Sequence, residues 1–439
     1  MRGVVLGARC WVLGAVLCAG CWVLGAAPLA QQRATAPQQA PTFQASTQVV
    51  QVDVRVFGKD GAFIEDLTID DFEVLEGGKP QSLRTLFFVG TAARDSATAA
   101  PLVSVRSGVS GGSSQTMTTS GQTWIFVFDL NHLTTGSGFN RARDSVSTFL
   151  KERFRDGDLG GVVAGSRMVN NRLTSVRSEL EAAAASVKPI ADHRSRLLEL
   201  TREWPKLRDE NEALAVASDD RDALQRAVVR ACSEDQTGCQ NADMMLRDKA
   251  RRFRTEMQRS SLETLNALQG LASGLARVPG PKTIVLLTDG LVTQGMEASL
   301  QAVVGQTTRA GARIYAIDAR GMNRGASAGS IDQVSAEDAA GAPARFDIAE
   351  DAPNSLSVDT GGFFIRNQNN IGRALIEIAD DANRYYVLGY QPEHLTLDGK
   401  FRPIEVRVKR SGVTVRARRG YLALPTSQLL VPQPVKRQP

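Results

Sequence analysis

Histidine is nearly missing from this chain of 439 residues: His132, His193 and His394 are all it has, and they fall in three separate regions. Chemistry that relies on several imidazoles, as proton shuttles or as metal ligands, is disfavoured from the outset. A His-Glu-x-x-His pair and a Gly-rich loop ending in Gly-Lys-Ser/Thr are also absent. That removes the signatures of zinc peptidases and P-loop nucleotidases. Cysteine is scarce: of five, Cys10, Cys18 and Cys21 lie in the N-terminal apolar stretch, leaving Cys232 and Cys239. With no further thiol or imidazole beside them, the pair reads as a disulfide closing a small loop in an exported chain. Neither sign of charge dominates, since 52 Lys and Arg face 47 Asp and Glu for a net +5. The signs are interleaved, so no nucleic-acid partner is implied. The arginine-rich strands at 402–419 read as solvated strand faces. Beyond the N-terminus no apolar run is long enough to cross a bilayer.

The N-terminus is where apolar residues concentrate. Arg2 and Arg9 precede a Gly- and Ala-rich stretch from Cys10 to Leu29, the pattern of an export signal over residues 1–30. Cleavage after Pro28-Leu29-Ala30, lipidation of Cys21 within Leu17-Cys18-Ala19-Gly20-Cys21, and retention as an anchor are the alternatives. Only the last two attach the chain to a membrane. A periplasmic or secreted protein is expected.

Residues 31–43 form a Pro/Gln-rich linker. In the segment 44–90, Val50, Val52, Val54 and Val56 alternate with Gln51, Asp53 and Arg55, which marks a half-buried strand. This unit is too small to bury a good core alone. Its complement is expected at 385–424, where Tyr385 to Tyr390, then Ile404, Val406 and Val408, then Val413 and Val415 are strand-like. The two ends would form one β-sandwich around an inserted α/β domain at 123–384. Residues 91–122 are expected to be a flexible Ser/Gly/Thr/Ala-rich linker and 425–439 a disordered tail. Within the α/β domain, 192–258 reads as a charged helical insertion, followed by a stripe of Leu262, Leu265, Leu268, Leu271 and Leu275 that packs on the sheet. Val169 to Thr174 is expected to be a strand.

Two stretches carry the candidate chemistry: Trp124-Ile125-Phe126-Val127-Phe128-Asp129 and Lys282-Thr283-Ile284-Val285-Leu286-Leu287-Thr288-Asp289-Gly290. Continuous apolar runs of this length suit central parallel strands, buried on both faces. Ligands of open α/β sheets bind beyond the carboxyl ends of such strands, where Asp129 and Asp289 fall. Two carboxylates there, with other oxygen-bearing side chains nearby, suggest a hard divalent cation.

The order of these motifs is similar to that of von Willebrand factor type A domains, a Rossmann-like doubly wound fold. More specifically, several segments resemble the Acidobacteria-associated branch of von Willebrand factor A-related proteins. They are Val52-Asp53-Val54, Leu67-Thr68-x-x-Asp71-Phe72-x-Val74, Val278 to Gly290, Thr360-Gly361-Gly362, Tyr385 to Tyr390 and Arg418-Arg419-Gly420-Tyr421. The resemblance implies a protein-binding module whose Mg2+ is held by Asp-x-Ser-x-Ser and by a Thr-Asp-Gly aspartate. Carried over, Asp129 is the first carboxylate, Asn131 and Leu133 replace the two serines, and Asp289 is the later aspartate. The threonine of the middle loop has no clear counterpart; Ser261 has about the right offset but lies within a helix, and Thr134 or Thr135 are substitutes. The expected metal set is therefore Asp129, Asn131 and Asp289, a degenerate site holding Mg2+ weakly if at all. The expected function is a non-catalytic module that binds another protein of the cell envelope. The alternatives are a metal-assisted hydrolase using Asp129, Asp289 and His132, and an assembly scaffold acting through the helical insertion.

Overall fold

The computed structural model describes residues 49–90, 102–103, 117–118, 121–190, 199–321, 350–392, 396 and 398–423. The expected export signal, the 31–43 linker, the 425–439 tail, His193 and His394 lie outside the described residues.

The N-terminal strands are β1 (Val50–Phe57), β2 (Phe72–Glu76), β3 (Lys79–Gln81) and β4 (Leu83–Val89). The C-terminal ones are β13 (Tyr385–Tyr390), β14 (Phe401–Val408), β15 (Thr414–Ala417) and β16 (Gly420–Leu422). They interleave into two four-stranded sheets, ordered β15-β1-β13-β4 and β16-β14-β2-β3. Val52, Val54 and Val56 from β1, Val74 from β2, and Tyr386 and Leu388 from β13 meet in one core. The alternation of β1 is as read, but its polar face is solvated only toward its start: Gln51 is exposed and Asp53 partly so, whereas Arg55 is wholly buried and Arg416 of β15 only about a quarter exposed. That face lies against the α/β domain. A two-stranded pairing of β5 (Leu102–Val103) with β6 (Met117–Thr118) falls within the stretch expected to be a structureless linker.

The α/β domain is built on β7 (Thr123–Phe128), β8 (Leu159–Ala164), β9 (Arg167–Met168), β10 (Lys282–Thr288), β11 (Ala312–Asp318) and β12 (Phe364–Ile365). Their order is β12-β11-β10-β7-β8-β9. All pairings are parallel except that of β9. Counted from β7, this is the doubly wound order 3-2-1-4-5-6, whose direction reverses between β7 and β10. Every residue of β7 and β10 is buried, as their unbroken apolar runs require. Val169–Asn171 is a 3-10 turn rather than a strand, with Asn170 and Asn171 at positive φ. Gly362 allows the chain to pass β11 closely, since a Cβ there would lie 2.1 Å from the Ile314 carbonyl oxygen.

Eight described helices of the domain carry labels: α1 (Ser137–Arg153), α2 (Arg177–Ser186), α3 (Glu210–Ala217), α4 (Arg221–Glu234), α5 (Ala242–Leu275), α6 (Glu297–Arg309), α7 (Asp351–Thr360) and α8 (Ile371–Asn383). Phe139 and Val146 of α1, Leu180 of α2 and Leu375 and Ile378 of α8 cover one face of the sheet. Leu265 and Leu268 of α5, Val303 of α6 and Leu356 of α7 cover the other. The helical insertion has its own core of α3, α4 and the first half of α5. Its expected end at 258 falls inside α5, which runs for 34 residues without a break. At about 1.5 Å per residue it is long enough to reach from that core to the sheet. Within the leucine stripe, Leu265, Leu268 and Leu275 are buried but Leu262 is 41% exposed, because it points away from both cores. No described helix is long and apolar enough to cross a membrane.

Candidate functional site

The carboxyl ends of β7 and β10 flank the point where strand order reverses, so Asp129 and Asp289 leave the sheet side by side. Asp129 is 1% exposed, and both its oxygens already have partners. Thr264 Oγ1 donates to Oδ1 at 2.8 Å. Thr288 Oγ1 donates to Oδ2 at 2.8 Å, and His132 Nδ1 lies 2.8 Å from the same oxygen. His132 is equally buried, and its Nε2 lies 3.2 Å from Ser261 Oγ. Ser261 Oγ in turn accepts the backbone N–H of Val292 at 3.1 Å. With the imidazole proton on Nδ1, every link is satisfied in one direction: Val292 N–H to Ser261, Ser261 O–H to His132 Nε2, His132 Nδ1–H to Asp129. Thr288 Oγ1 also accepts the Gly290 N–H at 3.1 Å, closing the network onto the loop that Gly290 turns at φ 133°.

The remaining expected ligands point elsewhere. Asn131 Nδ2 donates to Thr264 Oγ1 at 3.4 Å. Leu133 is fully buried in the core beneath the loop. Asp289 Oδ2 accepts the Thr134 backbone N–H at 2.8 Å. Burial pushes the Asp289 carboxyl up to about 6; the Thr134 hydrogen bonds pull it down and nearby Asp318 adds to the rise. Asp318, buried at the end of β11, receives Arg320 through Nε and Nη2 at 3.1 Å each.

Mg2+ requires about six oxygens in near-octahedral array and sheds its water reluctantly. The side chains here do not fit it. Leu133 offers no oxygen, and both Asp129 oxygens face hydroxyl and imidazole donors. Asn131 turns its amide nitrogen inward. Among the described residues no group of three or more His, Cys, Asp or Glu side chains is arranged to hold a metal.

Ser261, His132 and Asp129 have the hydrogen-bond order of a nucleophilic triad, yet the site is not set up for attack. Ser261 Oγ is fully buried on the inner face of α5 and is occupied by the Val292 amide. His132 likewise has both ring nitrogens engaged, which works against its use with Asp289 as an acid/base pair. Thr264 is the residue that the sequence reading missed: it stands one helical turn beyond Ser261, the position singled out for its offset. Ser260, Ser261 and Thr264 interrupt the apolar face of α5 with three buried hydroxyl residues, and that was the available signal.

Cys232, near the end of α4, is joined to Cys239, in the 3-10 turn Gly238–Asn241 that leads into α5.

No family model matches the chain, and no curated protein matches it. Solved structures similar to it include two bacterial proteins. One is an aerotolerance-related membrane protein from Bacteroides fragilis with multiple mutations to serines, 14% identical over 60% of this chain and 99% of that one, with a TM-score of 0.30. The other is the conserved hypothetical protein BatB from Bacteroides thetaiotaomicron, 14% identical over 60% of this chain and 98% of that one, with a TM-score of 0.25. Likeness at this level supports no statement about activity.

Proposed function

We propose that this chain is an exported, non-catalytic protein-binding module of the von Willebrand factor A type, whose strand-end site works without a metal ion. The observation that carries the reading is the saturation of Asp129 by Thr264, Thr288 and His132 at the topological switch point. In an adhesion site a divalent cation would balance that carboxylate; here protein donors supply the balance, with His132 and Thr264 taking the place of the missing serines. By residue accessibility Asp289 is half-buried where Asp129 and Asp318 are buried, and it offers an acceptor to a partner docking at this edge. The N-terminal export pattern and the Cys232–Cys239 bond support a partner in the cell envelope.

The test is a crosslinking pull-down from the envelope fraction, run in Mg2+ and again in chelator. Metal-free binding gives the same retained protein in both, and its loss in Asp289→Lys. No retained protein in either condition, or one that chelation releases, contradicts the reading. Hydrolysis in an activity screen that vanishes in Ser261→Ala would overturn the non-catalytic part.

A further inference from the structure

Away from the strand-end site, the junction between the β15-β1-β13-β4 sheet and the α/β domain buries more positive than negative charge. Arg55 of β1 is 0% exposed and Arg313 of β11 is 3% exposed. Arg416 of β15 pairs with Asp381 Oδ1. Asp381, on α8, is buried too; its Oδ2 lies 2.7 Å from Arg55 Nε and accepts the Tyr315 hydroxyl at 2.7 Å, while its backbone carbonyl accepts the Arg55 Nε–H at 2.9 Å. This one carboxylate thus faces two guanidinium groups and a hydroxyl. The second acid, Asp53, stands off at 3.6 Å from Arg313 Nη2 and keeps about a third of its side chain in solvent.

Among the described residues this leaves Arg55 Nη1 and Nη2, Arg313 Nε, Nη1 and Nη2, and Arg416 Nε buried without a hydrogen-bond partner. Both guanidinium carbons face the Tyr385 ring, Arg55 at 5.1 Å and Arg313 at 4.5 Å from its centroid. The ring offsets part of the charge through its π face, but it accepts no in-plane N–H bonds. Buried charge with unmet donors is costly, and such groups in native proteins are met by an ion or ordered water.

We propose that Arg55 and Arg313 form an internal site for a small inorganic anion at this junction. A guanidinium presents its N–H groups as a planar fork that matches two oxygens of an oxyanion. The Nη1/Nη2 end of Arg55 and an edge of Arg313 supply two such forks, which suits a tetrahedral phosphate or sulfate better than a spherical chloride. Because β1 and β11 belong to the two different layers, the anion would cement the sheet to the α/β domain.

The experiment is thermal denaturation of the mature chain in potassium gluconate, an anion too bulky for the junction. Phosphate, sulfate or chloride is titrated in at low millimolar concentration and constant ionic strength. Binding to the native state alone raises Tm with the logarithm of anion concentration above the dissociation constant. A rise of a few degrees is expected for phosphate and sulfate, with chloride weaker, and the rise should be lost in Arg313→Met. That variant, which removes a buried charge with unmet hydrogen-bond donors, should be no less stable than wild type in gluconate. A wild-type Tm indifferent to all three anions, or a response that Arg313→Met retains, overturns the site. Crystals grown in selenate give a check that needs no variant: anomalous density between Arg55 and Arg313 supports the site, and its absence contradicts it.

Discussion

At the residue scale, the strand-end network behaves as a unit whose centre is Asp129. Asp129→Ala leaves Thr264, Thr288 and His132 without their shared acceptor, and each stranded buried donor costs about 1–3 kcal/mol. A loss on the order of 3 kcal/mol or more is expected, read from urea denaturation. A change below about 1 kcal/mol would show that the three hydrogen bonds do not form together. Thr264→Val should cost less, since it removes one donor and keeps the shape of the side chain.

Asp289 makes a separate claim that depends on pH. Its carboxyl is raised from 3.8 to about 6, chiefly by burial. Between those values the native state holds a proton that the unfolded chain has released, so stability falls as pH rises through this window and is level above it. Asp289→Asn keeps an acceptor for the Thr134 amide and has no proton to lose. The variant should therefore gain on wild type as pH goes from about 4 to about 6. Parallel Tm profiles for the two proteins would contradict the raised value.

At the scale of elements, the two apolar runs ending in Asp129 and Asp289 were legible because burial on both faces leaves no room for polar alternation. Parallel central strands are the one place in a sheet where that pattern is stable. The role of Thr264 was not legible, because a hydroxyl on a helix face has many uses and its partner lies 135 residues away in sequence. The end of the insertion has no break in the helix to mark it, for a related reason. The periodicity of α5 is continuous while its packing partner changes near Ser261, from the insertion core to the sheet. Local pattern records the helix but not what it touches. The burial of Arg55 was not legible, because alternation shows that a strand has two faces, not what covers the second.

The Cys232–Cys239 bond belongs to this scale as well. It closes a loop with a sequence separation of 7, short enough that about 2 kcal/mol is a reasonable gain. Reduction should raise amide exchange in α4 and the start of α5 while β7 and β10 keep their protection. Labelling of two thiols in protein isolated without reductant would show that the bond is absent from the native molecule.

At the scale of the whole molecule, strands from 50–89 and 385–422 pair into two sheets around one core, the α/β domain is built from the segment between them, and a single long helix links that domain's strand-end site to a helical core of its own. The resemblance to von Willebrand factor A-related proteins rests on scattered short motifs, and these anticipated the parallel sheet better than the site. Strand ends are fixed by topology, whereas the side chains gathered there are free to change their chemistry. The most direct test of a metal-free site is isothermal titration of the mature protein with Mg2+ and with Mn2+ at neutral pH. No saturable heat is expected for either ion up to millimolar concentration. Saturable binding at sub-millimolar Mg2+, lost in Asp289→Asn, would mean that Asp129 exchanges its hydroxyl and imidazole partners for a cation.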